Sequence, residues 1–251
     1  FFPAGFYYKT FMWPKSFWHK VYEPFIRKAA GFGIASLEKD KERYEHKYEY
    51  CDLLVTGSGP AGLSSAYAAA KNGAKVILAE DKPRFGGSLL TDDVTIDNLS
   101  GKAWTDKIIT QLKEMPNVIV KNRSQVFGYY DHNMTVMFER TGDHLKDKPK
   151  YTPRQRLWYI RAKEVLLSTG SIERPIIFGN NDTPGILLSS AAKEYIKVYG
   201  VLVGKKPLIF TNNDSAYETA LEFKKQGIDP IILDTREEHS SELIDSAKNQ
   251  N

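Results

Sequence analysis

The stretch VTGSGPAGLSSA, Val55 to Ala66, sets glycines at 57, 59 and 62, the G-x-G-x-x-G spacing. Alone the pattern is weak. Here an apolar run (CDLLVT) precedes it, an alanine-rich segment follows it, and Glu80 ends the next apolar run 23 residues after Gly57. Those are the surroundings in which this spacing holds a dinucleotide. Gly57 allows the tight turn, Gly59 lets backbone come close to a pyrophosphate, and Gly62 lets a helix lie against a strand. Ser58, Pro60 and Ala61 share the turn, and the helix they open offers free N–H groups and partial positive charge to phosphates. Glu80 can accept hydrogen bonds from both hydroxyls of an adenine ribose and would repel a 2′-phosphate, although Lys82 and Arg84 keep NADP within reach. Asp81, next to Glu80, joins the candidate set.

Two later signals refine this. DKPRFGGSL brings Gly86, Gly87 and Ser88 shortly after Glu80, where a chain can pass close to phosphates or ribitol. LLSTGSIERP places Thr169 and Gly170 at the end of an apolar run, followed by Pro175. The order of these motifs resembles two-domain flavoproteins such as thioredoxin and glutathione reductases. In that family such a Thr-Gly closes over the dinucleotide and marks the crossing into the second nucleotide domain. The single cysteine, Cys51, excludes their redox pair, an internal disulfide and a cysteine-based metal or iron–sulfur site. Cys51 reads as a small buried apolar residue.

A second turn has no glycines. TNNDSAYETALEF, Thr211 to Phe223, lies between PLIF and IIL in the strand–turn–helix–strand rhythm of a nucleotide-binding unit. Side chains at Asn212 and Asp214 occupy places where a pyrophosphate needs bare backbone, and Asp214 adds repulsion. Asn and Asp tolerate left-handed backbone, so the turn can still form, with Asn213 or Asp214 capping the helix. This unit reads as structural, without a ligand.

The elements that must position these residues alternate from Cys51 onward. CDLLVTG is a strand, PAGLSSAYAAAKNG a helix ended by Gly73, and KVILAE a strand covered on both faces. A helix over 103–115 and a strand at NVIVK follow. VFGYYDHNMTVMFE reads as a hairpin with His132 at its tip, RQRLWYIRAKEVLLSTG as two strands, and SSAAKEYIKVYG as a helix. The expected fold is α/β, with two nested Rossmann-like dinucleotide-binding folds and a β-hairpin insertion. Residues 1–48 are an aromatic-rich arm and linker. Residues 49–178 form the first nucleotide fold and 179–251 an incomplete second one.

The arm carries twelve aromatics in its first 33 residues, interrupted by lysines, an arginine and prolines. It reads as irregular and suited to covering another domain, a subunit or this chain's own core. Lys39 to Glu49 reads as a solvated linker or hairpin. A net charge of +4, spread along the chain, speaks against a nucleic-acid face. No uncharged apolar run reaches about eighteen residues, so no transmembrane helix is expected. The chain starts with Phe1, shows no signal peptide, and reads as an excerpt of a longer protein located in the cytoplasm. Glu173 and Arg174 read equally as a salt bridge or as dinucleotide contacts. His19 and His46 have no metal-ligand spacing, and no nucleophile–base pair or paired carboxylates stand out, so no catalytic or metal-binding residue is assigned.

The segments PAGFYYKTFMWP, YEPFIRKAAGFG, VFGYYDHN, PRQRLWYIRAKEVLLSTGSIERP, NDTPGILLSSAAKEYIKVYG and FTNNDSAYETA together resemble the alpha subunit of heterotetrameric sarcosine oxidase, from Phe1 to about Arg236. The resemblance implies that this nucleotide domain holds NAD, although FAD shares the same fingerprint. It implies partner beta, gamma and delta subunits, with FAD and covalent FMN in the beta subunit. It also implies oxidative demethylation of sarcosine to glycine, with tetrahydrofolate as one-carbon acceptor. Carried over residue by residue, the dinucleotide role falls on Gly57, Gly59, Gly62 and Glu80, with Gly87 and Gly170 as weaker members. An independent FAD-dependent NAD(P)H oxidoreductase, or the large subunit of another amine or opine oxidase, are the alternatives.

Overall fold

The computed structural model describes residues 13–31, 33, 36–237 and 244–245. The chain divides into two compact units, Phe1–Glu42 and Arg43–Asn251. In the first, the described residues are helical from Lys15: an α turn over Lys15–Phe17, a π turn over Trp18–Tyr22 and an α segment over Glu23–Ala29. The expectation of an irregular arm is therefore corrected for this stretch. Pro14 precedes the first turn, where a missing N–H does least harm, whereas Pro24 lies within the helical run, just after the π turn.

The second unit is built on a six-stranded sheet in the order β5-β2-β1-β8-β7-β6. Its strands are β1 (Tyr44–Thr56), β2 (Val76–Ala79), β5 (Val118–Lys121), β6 (Ser124–Tyr130), β7 (Met134–Arg140) and β8 (Gln155–Leu167). The four strands β5, β2, β1 and β8 are parallel, and the β6–β7 hairpin continues the sheet antiparallel to β8. Helices α1 (Pro60–Lys71) and α2 (Gly101–Glu114) cover one face, and a short β3–β4 ladder (Thr95–Ile96, Leu99–Ser100) leads into α2. VILA is buried at every position, as a parallel strand between two layers must be. On the helical face Val55, Leu63, Ala66, Val76, Leu78 and Leu112 form one core. On the other, Leu54, Ile77, Met137, Trp158 and Ile160 form a second. Each large apolar side chain fully removed from water there stabilises the fold by about 1.5–3 kcal/mol.

Two sequence expectations change. The stretch read as linker to Glu49 is already strand from Tyr44, because β8 pairs with it residue for residue, Tyr44 with Gln155 through Thr56 with Leu167. Its exposed, charged side chains gave no apolar signal; the pairing is a backbone one. The two strands expected in RQRLWYIRAKEVLL are one, since β8 contains no turn residue and β1 flanks its whole length. Within this sheet Glu139 is buried. Its carboxylate accepts from Trp158 Nε1 at 2.6 Å, from Arg156 at 3.0 Å and from Lys121 at 3.0 Å. Burial pushes that carboxyl up, but Lys121, Trp158 and Arg156 outweigh it and hold it below the usual range.

The remainder forms a smaller βαβ layer. Strands β9 (Leu208–Thr211) and β10 (Ile231–Asp234) make their own parallel pair. Helices α3 (Ser189–Tyr199) and α4 (Ser215–Lys225) pack on it through Ala192, Ile196, Ile209, Ala216, Ala220 and Phe223. This matches the expected order of two nested nucleotide-type folds.

Candidate dinucleotide site

The glycine turn sits where β1 ends, α1 begins and β8 arrives. Gly57 has φ +98°, and a Cβ there would lie 2.3 Å from the Ser168 carbonyl oxygen and 3.3 Å from Thr169 Cα. Its N–H donates to Ala79 O at 2.8 Å, which joins the turn to the end of β2. Gly62 is excluded from carrying a side chain for a different reason, since a Cβ would fall 2.0 Å from Gly57 O and 2.7 Å from Ser168 Oγ. Ser168 itself donates from Oγ to Thr56 O at 2.9 Å and to Gly57 O at 3.0 Å. In the sequence Ser168 shows only as a small hydroxyl preceding the Thr-Gly, too weak a signal to mark it as a partner of the turn.

Gly59 behaves otherwise. It is the N-cap of α1 with an ordinary φ of −66°, and a Cβ there would meet no described atom within 4 Å. Nothing in the protein's own backbone geometry requires glycine at this point. No side chain caps α1 among the described residues, and Pro60 supplies no N–H, so the first-turn donors of Ala61 and Gly62 have no intrahelical acceptor. Gly87 closes on the same place from the other side, its would-be Cβ 2.9 Å from Gly59 Cα. At the end of β1, the Thr56 hydroxyl is buried without a hydrogen-bond partner among the described residues. Open space over a bare glycine and uncapped helix donors suit a phosphate-bearing group.

Glu80 is 7% exposed. Its Oε2 accepts from Ser58 N at 2.9 Å and Ser58 Oγ at 2.5 Å, and its Oε1 accepts from Lys82 N at 3.0 Å. Ser58 in turn accepts from Gly86 N, at 3.1 Å through its carbonyl and 3.2 Å through its hydroxyl. The acid therefore pins three segments together, and its remaining acceptor capacity lies on Oε1. Lys82 pairs with Glu194 of α3 at 2.9 Å and Arg84 donates to Val198 O at 2.7 Å, so both basic residues are tied to α3. Asp81 enters only through its backbone, its carbonyl accepting from Arg140 at 2.8 Å. Pro60, Ala61, Ser88, Thr169 and Gly170 are exposed around the turn.

The second turn is closed by its own side chains. Asn213 Oδ1 accepts from Ser215 N at 3.0 Å and Ser215 Oγ at 2.6 Å, while Thr211 Oγ1 exchanges hydrogen bonds with Asn213 at 2.9 and 3.1 Å. Asn212, Asn213 and Asp214 are absent from the residues with positive φ, so the left-handed geometry expected of them is not used. Asp214 pairs with Arg236 at 2.8 Å, which removes much of the repulsion attributed to it. Beside this turn a cleft of about 1080 Å³ runs along Phe178, Phe210 and Asn212. Glu173 forms no ion pair among the described residues; it accepts from Ser190 N and Oγ, each at 2.9 Å, at the start of α3. Cys51 is fully buried, and burial raises its thiol to about 12, in keeping with an inert core residue. His132 lies at the exposed hairpin tip, and no cluster of metal-ligating side chains occurs among the described residues. No described helix is long and apolar enough to cross a membrane.

Residues 52–138 match the family described as FAD dependent oxidoreductase. Sarcosine oxidase subunit alpha of Rhizobium meliloti (strain 1021) is 46% identical over 93% of this chain and 24% of that subunit. The corresponding subunit of Corynebacterium sp. (strain U-96) is 36% identical over 84% of this chain and 22% of its own length. Among solved structures, L-proline dehydrogenase from P. horikoshii superposes with a TM-score of 0.62 at 23% identity, over 81% of this chain and 39% of that one. It supports the FAD/NAD(P)-binding fold. The resemblance read from the motifs is borne out: this chain is a relative of sarcosine oxidase subunit alpha and spans about a quarter of that subunit's length.

Proposed function

We propose that this chain is the NAD-binding portion of an alpha-type subunit in a multi-subunit, flavin-dependent sarcosine oxidase. The observation that carries the reading is Gly59, a glycine that no described neighbour requires, standing over uncapped helix donors and facing Gly87. Ala61 and Gly62 would offer backbone N–H groups to the pyrophosphate, and Oε1 of Glu80 a ribose acceptor. A bound nicotinamide could accept hydride, and the backbone donors and Glu80 would hold the pyrophosphate and ribose of its dinucleotide. The reading includes oxidative demethylation of sarcosine with tetrahydrofolate, beta, gamma and delta partners, and FAD and FMN in the beta subunit; the similarity to alpha subunits supports it. In this reading the amine-oxidising flavin site lies outside this chain. A second reading, FAD in the same turn, draws on the FAD dependent oxidoreductase match, which includes Gly57 to Gly62.

The test is to purify the full-length chain without partners, record its visible spectrum, and identify any nucleotide released on denaturation. A colourless protein releasing NAD is expected. A yellow protein releasing FAD overturns the first reading in favour of the second.

A further inference from the structure

The loop that carries Gly87 is held from a distance by the second fold. Lys193 of α3, 9% exposed, meets Asp92 Oδ1 at 2.8 Å and also pairs with Glu218 of α4. One turn along, Lys197 pairs with Asp93 and reaches Glu222 at 3.4 Å. Lys225 of α4 binds Asp93 Oδ2 at 2.6 Å. A poorly solvated ammonium is tolerated only among carboxylates, and Lys193 takes one from each fold. Asp92 and Asp93 end the 3₁₀ turn Gly87–Leu90: the N–H groups of Thr91 and Asp92 donate to Ser88 O at 2.9 and 2.8 Å. That turn begins at Gly87, against Gly59.

We propose that α3 and α4 act as an electrostatic clamp on the cofactor loop. Lys193 and Lys197 hold Asp92 and Asp93, and through the 3₁₀ turn they set how closely Gly87 approaches Gly59 and the dinucleotide beside it. They are positioning residues and touch no ligand themselves. The inference rests on the dinucleotide reading of the glycine turn. It gives the second fold a task that needs no nucleotide of its own. Salt should weaken the outer pair, Asp93 with Lys225, whose side chains are 64% and 52% exposed, more than the pairs of Lys193.

The experiment uses the full-length protein and compares wild type, Lys193→Gln, Lys197→Gln and, as a surface ion-pair control, Lys102→Gln. Two quantities are read: the rate of nucleotide release after dilution, and amide hydrogen exchange over residues 86–93. Both should rise on the order of tenfold in the first two variants, a shift of about 1.4 kcal/mol, stay at the wild-type value in Lys102→Gln, and rise in wild type with added NaCl. Folded Lys193→Gln and Lys197→Gln proteins with unchanged exchange over 86–93 overturn the clamp. If wild type carries no nucleotide, the dinucleotide reading fails while the exchange measurement still decides the clamp.

Discussion

Between β1 and α1 the chain turns on glycine and leaves its helix N-terminus bare; between β9 and α4 it turns on Thr211, Asn212 and Asn213 and fills the same place itself. Both turns join a parallel strand to a helix, so the fold alone does not separate them. The difference is where the backbone donors go. At the second turn Asn213 accepts the Ser215 N–H and ties itself to Thr211. At the first, neither Gly59 nor Pro60 can do so, and the Glu80 carboxylate accepts from Ser58 instead. Glycine count is thus a poor guide to whether a turn forms and a better one to whether a ligand has room.

Four substitutions sharpen that contrast. Gly57→Ala should destabilise the fold by about 3 kcal/mol, combining left-handed backbone with overpacking against Ser168, as read from denaturant unfolding. Gly59→Ala should leave stability within about 0.5 kcal/mol. Its methyl group would enter the space of a pyrophosphate and weaken dinucleotide binding about 10–100-fold, measured by titration calorimetry.

At the second turn the effects are on stability alone. The Arg236 guanidinium holds the carboxyl of Asp234 well below its ordinary value of 3.8. A depressed carboxyl stabilises above its unfolded pKa, and that contribution is lost as pH falls through the folded one. Asp234→Asn should therefore lower the melting temperature at pH 7, by the equivalent of about 1–2 kcal/mol. Thermal melts should show the gap to wild type narrowing below about pH 3.8. Asn213→Ala removes the acceptor for Ser215 N and should destabilise by about 1 kcal/mol, with nucleotide affinity unchanged.

The sequence made the chain order of elements legible because β2 is apolar throughout and the helices end on recognisable signals such as Gly73 and Gly200. It concealed the first half of β1, whose Tyr, Glu, His and Lys side chains are solvated while the backbone pairs with β8. The geometry of the candidate turn was legible where packing demands a residue type, at Gly57 and Gly62, and Glu80 stands beside it as the spacing implied. Ser168, which fixes the turn from β8, and Lys193, which reaches across more than 100 residues to Asp92, were not legible. A serine in a strand end and a lysine in an amphipathic helix have ordinary local explanations, and only the tertiary structure shows what they meet.

The most direct measurement counts dinucleotides per chain in the full-length protein, wild type beside Gly59→Ala and Asn213→Ala. One equivalent is expected in wild type and in Asn213→Ala, with a large loss in Gly59→Ala. Two equivalents in wild type, with Asn213→Ala losing one and Gly59→Ala the other, would place a second nucleotide in the cleft beside Asn212 and contradict the division between the two turns.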